Sequence, residues 1–164
     1  MVKMITKQAV INSTLGEWQF CRQLTYSLLE SLSDDDLSFS PGDGMGQFWM
    51  QFRHLGRIQH NFLQGIRTLE MHFDAHGGGY SGRSTSHELA DYLHNLDAEL
   101  ILLLRVVDIA TSIRWEAPGD TPQVWEHLSR MISHEYLHHG QWVVYMRLLG
   151  RPFPQSWNWA WGLE

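Results

Sequence analysis

Residues 121–150, TPQVWEHLSRMISHEYLHHGQWVVYMRLLG, decide the fold that we expect for this chain. Apolar residues recur through the segment at helical spacing. Thr121 suits the N-cap, because its hydroxyl can accept a hydrogen bond from a free backbone N–H of the first turn. Pro122 suits the first helical position, because it has no backbone N–H to satisfy. Gly150 is a common residue just after a helix end. We therefore predict one long helix that begins at Thr121 and Pro122 and continues to Leu149.

Two histidines lie four residues apart in this helix. His134 and His138 project only about 40° apart around the helix axis, one turn above the other. Trp142 and Tyr145 lie on the same side, so this side of the helix is apolar and is expected to face the core. A buried imidazole without a partner is costly, and one shared metal ion would serve both rings. The neighbouring His139, at about 140° from His134, is predicted to be peripheral or exposed.

The rest of the chain predicts three further helices and no strand. Apolar residues recur at helical spacing over about residues 13–32, 46–71 and 85–110. The glycine-rich stretch 76–82, HGGGYSG, is predicted to be a flexible loop. We therefore expect an all-α protein, with residues 1–164 forming a single four-helix bundle domain.

The C-terminal tail is rich in tryptophan. Trp157, Trp159 and Trp161 alternate along it, and Phe153 lies just before them. Three free tryptophans would form an unusual exposed apolar segment. We therefore predict that the tail packs on the bundle.

A third metal ligand is expected from another helix. His54 lies about 80–90° from the centre of the apolar side of the second predicted helix, and His60 lies about 150° away. His54 can therefore reach the interior, whereas His60 is expected to point outward. His94 and His127 are alternatives, and His127 lies close to the face of His134, about two turns before it.

The five residues 134–138, HEYLH, also match the HExxH pattern of zinc proteases, in which the glutamate is the general base. The extended form of that pattern requires glycine at position 141 and histidine at position 144. This chain has Gln141 and Val144, and no strand-like segment precedes the motif. A metalloprotease is therefore the least favoured interpretation.

Two segments resemble the DinB/YfiT-like family. The first is FRHLG at residues 52–56, followed by Phe62 and Leu63, which is similar to the ligand region of the family's second helix. The second is HEYLHHGQ at residues 134–141 with YMRLLG at residues 145–150, which resembles the family's fourth-helix signature; Pro152 and Pro154 follow it. The helix pattern of the family covers nearly the whole chain.

The resemblance implies that the metal ligands are His54, His134 and His138, the same residues that the helical faces favour. It also implies an up-down-down-up order of the helices, and either hydrolase-like chemistry or transfer of a low-molecular-weight thiol. The family often has a histidine and a basic residue where this chain has Leu137 and His139, which can alter the surroundings of the ligands.

Three histidine ligands would leave coordination positions open, whereas a closed structural zinc site has four protein ligands. The expected cofactor is one divalent ion, zinc or nickel, because both accept imidazole. An open position can lower the pKa of bound water or hold a thiol as thiolate. We therefore predict a metal-dependent enzyme whose partner is a small molecule, with a low-molecular-weight thiol as one candidate. A metal-binding or interaction bundle without catalysis is the alternative.

Glu135 and Tyr145 are the candidate catalytic residues. Glu135, at about 100° from His134, is the nearest candidate general base, and its alternative role is a surface carboxylate or a support for the ligands. Tyr145 and Gln141 share the ligand face and can orient a substrate or serve as ordinary polar residues of the core.

The composition of the chain argues against several classes of binding partner and cellular location. The formal net charge is −6 and no Lys/Arg block is present, which argues against nucleic acid and anionic membrane surfaces. Cys21 is the single cysteine, so no intrachain disulfide forms and a reducing compartment fits. No apolar run approaches the roughly 20 residues of a membrane span, and the first residues lack the apolar core of a signal peptide. We expect a cytoplasmic protein, and a homodimer as its assembly.

Overall fold

A computed structural model describes residues 7–73 and 79–163, and these are mostly helical, as predicted. Residues 74–78, which include the first part of the predicted glycine-rich loop, lie outside these ranges, and residues 79–82 form neither helix nor strand. The elements in chain order are α1 (Lys7–Ser31), α2 (Asp34–Leu37), α3 (Phe48–Thr68), β1 (Glu70–Met71), α4 (Ser86–Val106), β2 (Arg114–Trp115), α5 (Val124–Leu149) and α6 (Gln155–Trp161).

The four long helices α1, α3, α4 and α5 form the bundle, and contacts between them show the direction of each. Early residues of α3 contact late residues of α5, so these two helices are antiparallel. In the pairs α1–α5 and α3–α4, residue numbers rise together, so the helices of each pair are parallel. The predicted up-down-down-up order is confirmed. The contacts are Phe48–Tyr145 and Phe62–His127, then Glu17–Tyr136 and Thr25–His139, then Gln59–Asp97 and Arg67–Glu99.

The start of α5 differs from the sequence prediction. The helix begins at Val124, with Gln123 as its N-cap, and not at Thr121 and Pro122. The Pro122 carbonyl accepts a hydrogen bond from the Ile113 N–H at 2.8 Å, which holds this part of the chain extended against the preceding loop. The Glu126 carboxylate accepts from the Gln123 N–H at 2.8 Å and so satisfies a donor at the new helix start.

The expectation of no strand was also wrong. Glu70 pairs with Arg114 and Met71 with Trp115 in a short parallel ladder that joins the loops after α3 and α4. Two residues on each strand carry too little pattern for the period-2 signal by which a strand is normally predicted. The ladder lies at the end of the bundle where α5 begins, opposite the end where α3 begins.

One buried polar network contacts all four bundle helices. The Arg22 guanidinium of α1 lies 3.2 Å from the Glu135 carboxylate of α5 and 3.4 Å from the Asp97 carboxylate of α4. It also donates to the Gln59 side-chain oxygen of α3 at 2.6 Å, and the Gln59 amide donates to Asp97 at 2.9 Å. Tyr26 of α1 adds a hydrogen bond to Asp97. The apolar core surrounds this network on both sides along the bundle axis.

The tail packs on the bundle as the helix α6, as predicted. Trp157 is fully buried, and its indole N–H donates to the Leu24 carbonyl at 2.7 Å. Trp161 lies one turn further on the same side and contacts Tyr136. Trp159 points the other way and is 81% exposed, because residues two positions apart in a helix lie about 160° apart around its axis. Across the described ranges, no helix is both long enough and apolar enough to cross a membrane.

Replacing Arg22 by Met should destabilise the fold strongly. Arg22→Met leaves the buried carboxylates Glu135 and Asp97 without their cation, which typically costs about 3–5 kcal/mol of unfolding free energy. The matched control is Arg67→Met, which removes an ion pair with Glu99 near the surface of the bundle and should cost less than about 1 kcal/mol. Denaturant unfolding of both variants measures the difference, and equal losses would contradict the structural role of Arg22.

The tail can be tested in the same way. Trp157→Ala should lower the unfolding free energy by about 3–5 kcal/mol, because it empties a fully enclosed site. Trp159→Ala removes an exposed side chain and should change it by no more than about 0.5 kcal/mol. If urea unfolding gave similar values for the two variants, α6 would not be packed as described.

Candidate metal centre

Three histidines from two antiparallel helices converge inside the bundle. His54 of α3 faces His134 and His138 of α5, with ring centroids 5.4 and 5.2 Å away, and the two α5 rings are 4.7 Å apart. One ring nitrogen of each residue lies within 4.8 Å of the others. The structure thus brings together all three residues that the sequence predicts as metal ligands.

The surroundings favour the neutral form of all three rings. Burial, followed by the neighbouring His134 and His54, lowers the pKa of His138 to about 3. Burial and His54 lower the pKa of His134 to about 4. The pKa of His54 is also lowered, by burial and then by Arg57 and Arg53. Metal ions bind imidazole only without its second proton, so neutral rings suit a metal site.

A hydrogen bond from α3 fixes which nitrogen of His138 is free. The Gln51 side-chain oxygen lies 2.9 Å from the Nδ1 atom of His138. An amide oxygen only accepts, so Nδ1 carries the hydrogen and Nε2 keeps its lone pair. The Tyr145 hydroxyl donates to the Gly46 carbonyl at 2.8 Å and lies 3.5 Å from the Gln51 amide nitrogen. Orienting contacts of this kind are typical around histidines that bind metals.

The geometry fits a metal ion. Ligand atoms on a tetrahedral zinc lie roughly 3.3 Å apart, for zinc–nitrogen distances of about 2.0–2.1 Å, and small side-chain movements would bring the three nitrogens to that spacing. The Nδ1 atom of His134 is buried and has no hydrogen-bond partner in the part of the chain that the structure describes. Such an atom is costly unless something binds it.

The two candidate catalytic residues have their polar groups engaged elsewhere. The Glu135 carboxylate accepts a hydrogen bond from Thr25 and pairs with Arg22, on the side of α5 that packs against α1. Burial raises the pKa of Glu135, while Arg22 and Thr25 work in the opposite direction. The Tyr145 hydroxyl is bound to the loop before α3. A catalytic role for either residue stays a prediction.

The expectation that His139 is peripheral or exposed was wrong. Its side chain is only 2% exposed, because α6 covers it with the rings of Trp157 and Trp161, at 4.9 and 5.9 Å. Helical periodicity correctly put His139 away from the ligand face. It could not show that a segment beyond the helix covers this second face.

Cys21, Glu135 and His139 form a second buried group, with ligand atoms within 4.8 Å of one another. The only proton of the Thr25 hydroxyl goes to Glu135, so the His139 Nε2 atom, 2.9 Å away, donates to that hydroxyl. Because the Arg22 guanidinium already neutralises the carboxylate, we assign this group to the packing of α1 against α5 and not to a second metal ion.

His127, the leading alternative for the third ligand, is committed to other contacts. Its Nδ1 atom accepts a hydrogen bond from the Trp115 indole at 3.0 Å, and its Nε2 atom donates to the Phe62 carbonyl at 2.8 Å. Both ring nitrogens are therefore used. His94 is exposed and stacks on Tyr26 of α1.

Sequence reasoning missed three residues beside the site. Gln51 lies three residues before His54, so it shares a face of α3, and this spacing could have identified it. Arg53 and Arg57 flank His54 on the same helix and border the pocket outside it. Their spacing of four residues is visible in the sequence, but the direction of the pocket is not.

These features define a class of protein: an up-down-down-up four-helix bundle with three histidines gathered from its second and fourth long helices. The model of the DinB superfamily matches residues 17–142, which is most of the chain. The chain belongs to the DinB superfamily.

Solved structures share the fold at low sequence identity. A DinB-like protein from Bacillus cereus has a TM-score of 0.72 and 22% identity, over 88% of this chain and 95% of that one. The DinB-like protein YjoA from Bacillus subtilis has 0.67 and 17%, over 88% and 97%. YfiT from Bacillus subtilis, described as "a probable metal-dependent hydrolase with an unusual four-helix bundle topology", has 0.64 and 14%, over 93% and 94%. No curated protein matches the sequence significantly.

The contacts of His127 predict a pH dependence of stability. An unfolded histidine takes up a proton near about pH 6.5, whereas burial lowers the pKa of folded His127 to about 4. Below about pH 6.5 the unfolded chain therefore binds more protons than the folded one, and the unfolding free energy decreases as the pH is lowered. Replacing His127 by Leu removes this contribution, which amounts to about 2 kcal/mol between about pH 7 and pH 5.

The measurement is the unfolding free energy at both pH values, with a chelator present. The quantity compared is its decrease between them, because His127→Leu also changes the absolute stability. The exposed His94 provides the control variant His94→Leu, which should keep the full decrease. An unchanged decrease in His127→Leu would show that folded His127 titrates normally.

Proposed function

We propose that this protein is a metal-dependent enzyme in which His54, His134 and His138 hold one divalent ion, zinc or nickel. The observation that carries the proposal is the convergence of three neutral imidazoles from two helices, within 4.8 Å of one another. The description of YfiT, which has the same fold, supports it. Both candidate metals accept imidazole ligands.

The ligand set favours catalysis over a purely structural role for the metal. A structural zinc site normally has four protein ligands, and within the described ranges the group around His54 contains only three metal-binding side chains. When bound, such an ion acts as a Lewis acid and lowers the pKa of a water or a thiol. Hydrolysis of a small molecule and transfer of a low-molecular-weight thiol both use that property.

The protein's own contribution is to hold the ligands in place. Gln51 keeps the Nδ1 hydrogen of His138 in position, which leaves the opposite nitrogen available to a metal ion. Tyr145 ties the loop before α3 to α5 through its hydrogen bond to Gly46. We therefore give Tyr145 a positioning role, and we assign no proton transfer to Glu135, whose carboxylate is bound by Arg22.

The pairing of Glu135 with Arg22 argues against an HExxH metalloprotease, because the glutamate of that motif must be free to act as the general base. A different observation favours a second candidate, a metal-binding bundle without catalysis: no described carboxylate joins the three histidines. A homodimer, a cytoplasmic location and a small-molecule partner remain our expectations.

Metal analysis of the purified protein tests the site. The variants His54→Ala, His134→Ala and His138→Ala should each lose most of the bound metal, because two imidazoles bind far more weakly than three. His94→Ala, which changes an exposed histidine outside the group, should retain it. Full occupancy in His54→Ala would show that the third ligand is a different residue.

Cobalt substitution then separates the two candidate functions. In an enzyme with open positions, a small thiol or azide should displace solvent from the metal and change the visible spectrum. A cobalt spectrum that is indifferent to both would identify a closed site and would favour the non-catalytic bundle.

A further inference from the structure

A pocket of about 370 Å³ opens beside the three-histidine site. Its lining residues come from α3 and from the loop before α4, and His54 is the only one of the three proposed ligands among them. A small molecule that enters this pocket would therefore meet the site at His54. The lining residues are Arg53, His54, Arg57, Gly79 and Tyr80.

Two arginines border this pocket. Arg53 and Arg57 lie four residues apart on α3, so their side chains extend from neighbouring turns of the same face. Within the described ranges, neither guanidinium has a carboxylate at ion-pairing distance, whereas Arg67 further along the helix pairs with Glu99. Two cations at one pocket, with no described carboxylate paired to either, stand out in a chain whose formal net charge is −6.

The Arg53 guanidinium is held in place by an aromatic ring. It lies 4.9 Å from the centre of the Trp49 ring, one turn earlier in α3. A cation over an aromatic face gains about 0.5–1 kcal/mol at an exposed site, and it loses part of its conformational freedom before any ligand arrives. The N–H groups of a guanidinium point outward in its own plane, so an aromatic ring against its face leaves these donors available to a ligand.

The charge of the site also favours an anionic ligand. Three neutral histidines contribute no negative charge, so a divalent ion there would keep its full charge of two. The nearby arginines add two more positive charges, and no described carboxylate belongs to the group. A bound anion would relieve this excess, and a carboxylate or phosphate suits the planar fork of a guanidinium.

We propose that the substrate of this site is an anionic small molecule, whose carboxylate or phosphate group binds Arg53 and Arg57 while its reacting end lies beside His54. The proposal rests on the proposed function for the reacting end. The arginine contacts do not depend on the metal. The Tyr80 hydroxyl is not part of the anion site, because it donates to the Arg83 carbonyl.

The first experiment uses thiols of similar size and different charge as probes of the cobalt-loaded protein. The carboxylate 3-mercaptopropionate or the phosphate 2-mercaptoethyl phosphate should bind at least about tenfold more tightly than neutral 2-mercaptoethanol, as expected for charge-assisted hydrogen bonds. Whichever of the two anions binds more tightly identifies the preferred group. Cationic cysteamine should bind most weakly.

Variants assign this preference to the two arginines. Arg53→Gln and Arg57→Gln should each reduce the affinity for the anionic thiols by about tenfold and leave 2-mercaptoethanol unchanged. Arg67→Gln on the same helix is the matched control and should keep the preference. High salt should weaken the anionic probes only, because it screens exposed charges. Equal affinity for neutral and anionic thiols would overturn the proposal.

A metal-free measurement keeps this result separate from the proposed function. In the apoprotein, 3-mercaptopropionate and inorganic phosphate should shift the side-chain NMR signals of Arg53 and Arg57, and 2-mercaptoethanol should not. Shifted arginine signals without any metal binding would retain the anion site and reject the metal enzyme. Unshifted signals would reject the anion site, whether or not a metal binds.

Discussion

The buried guanidinium of Arg22 is the constraint on which the arrangement of the bundle depends. It contacts carboxylates of α4 and α5 and an amide of α3, so all four long helices meet at one cation. A helix that slipped by one turn would leave a charge in the core without a partner, which is far more costly than an imperfect apolar contact. Apolar packing brings the helices together, and this network selects their relative heights.

The same network sets the orientation of the candidate metal centre. Glu135 and His139 each follow one of the two α5 histidines by a single residue. The network face and the ligand face of α5 are therefore about 100° apart on one rigid helix. When Glu135 is held against α1, His134 and His138 must point toward α3, where His54 lies.

Much of this could be predicted from the sequence because it depends on helical periodicity. The long helices, the direction of His134 and His138 and the choice of His54 all follow from which residues share a helical face. The order of the bundle was implied by the resemblance to the DinB/YfiT-like family. What could not be predicted depends on distant partners: the start of α5 is delayed by pairing with Ile113, and His139 is covered by α6. The HExxH pattern likewise gives no sign that the glutamate of the motif forms a buried ion pair with Arg22.

The parallel contact between α1 and α5 has a consequence for how the chain folds during synthesis. α1 emerges from the ribosome first, and its charged and polar partners on α5 are translated more than a hundred residues later. Until then, Arg22 and the apolar side of α1 lack the partners that α5 provides. Contacts between such distant segments slow folding and leave intermediates prone to aggregation. The docking of α1 against α5 can therefore be completed only after the last long helix has been translated.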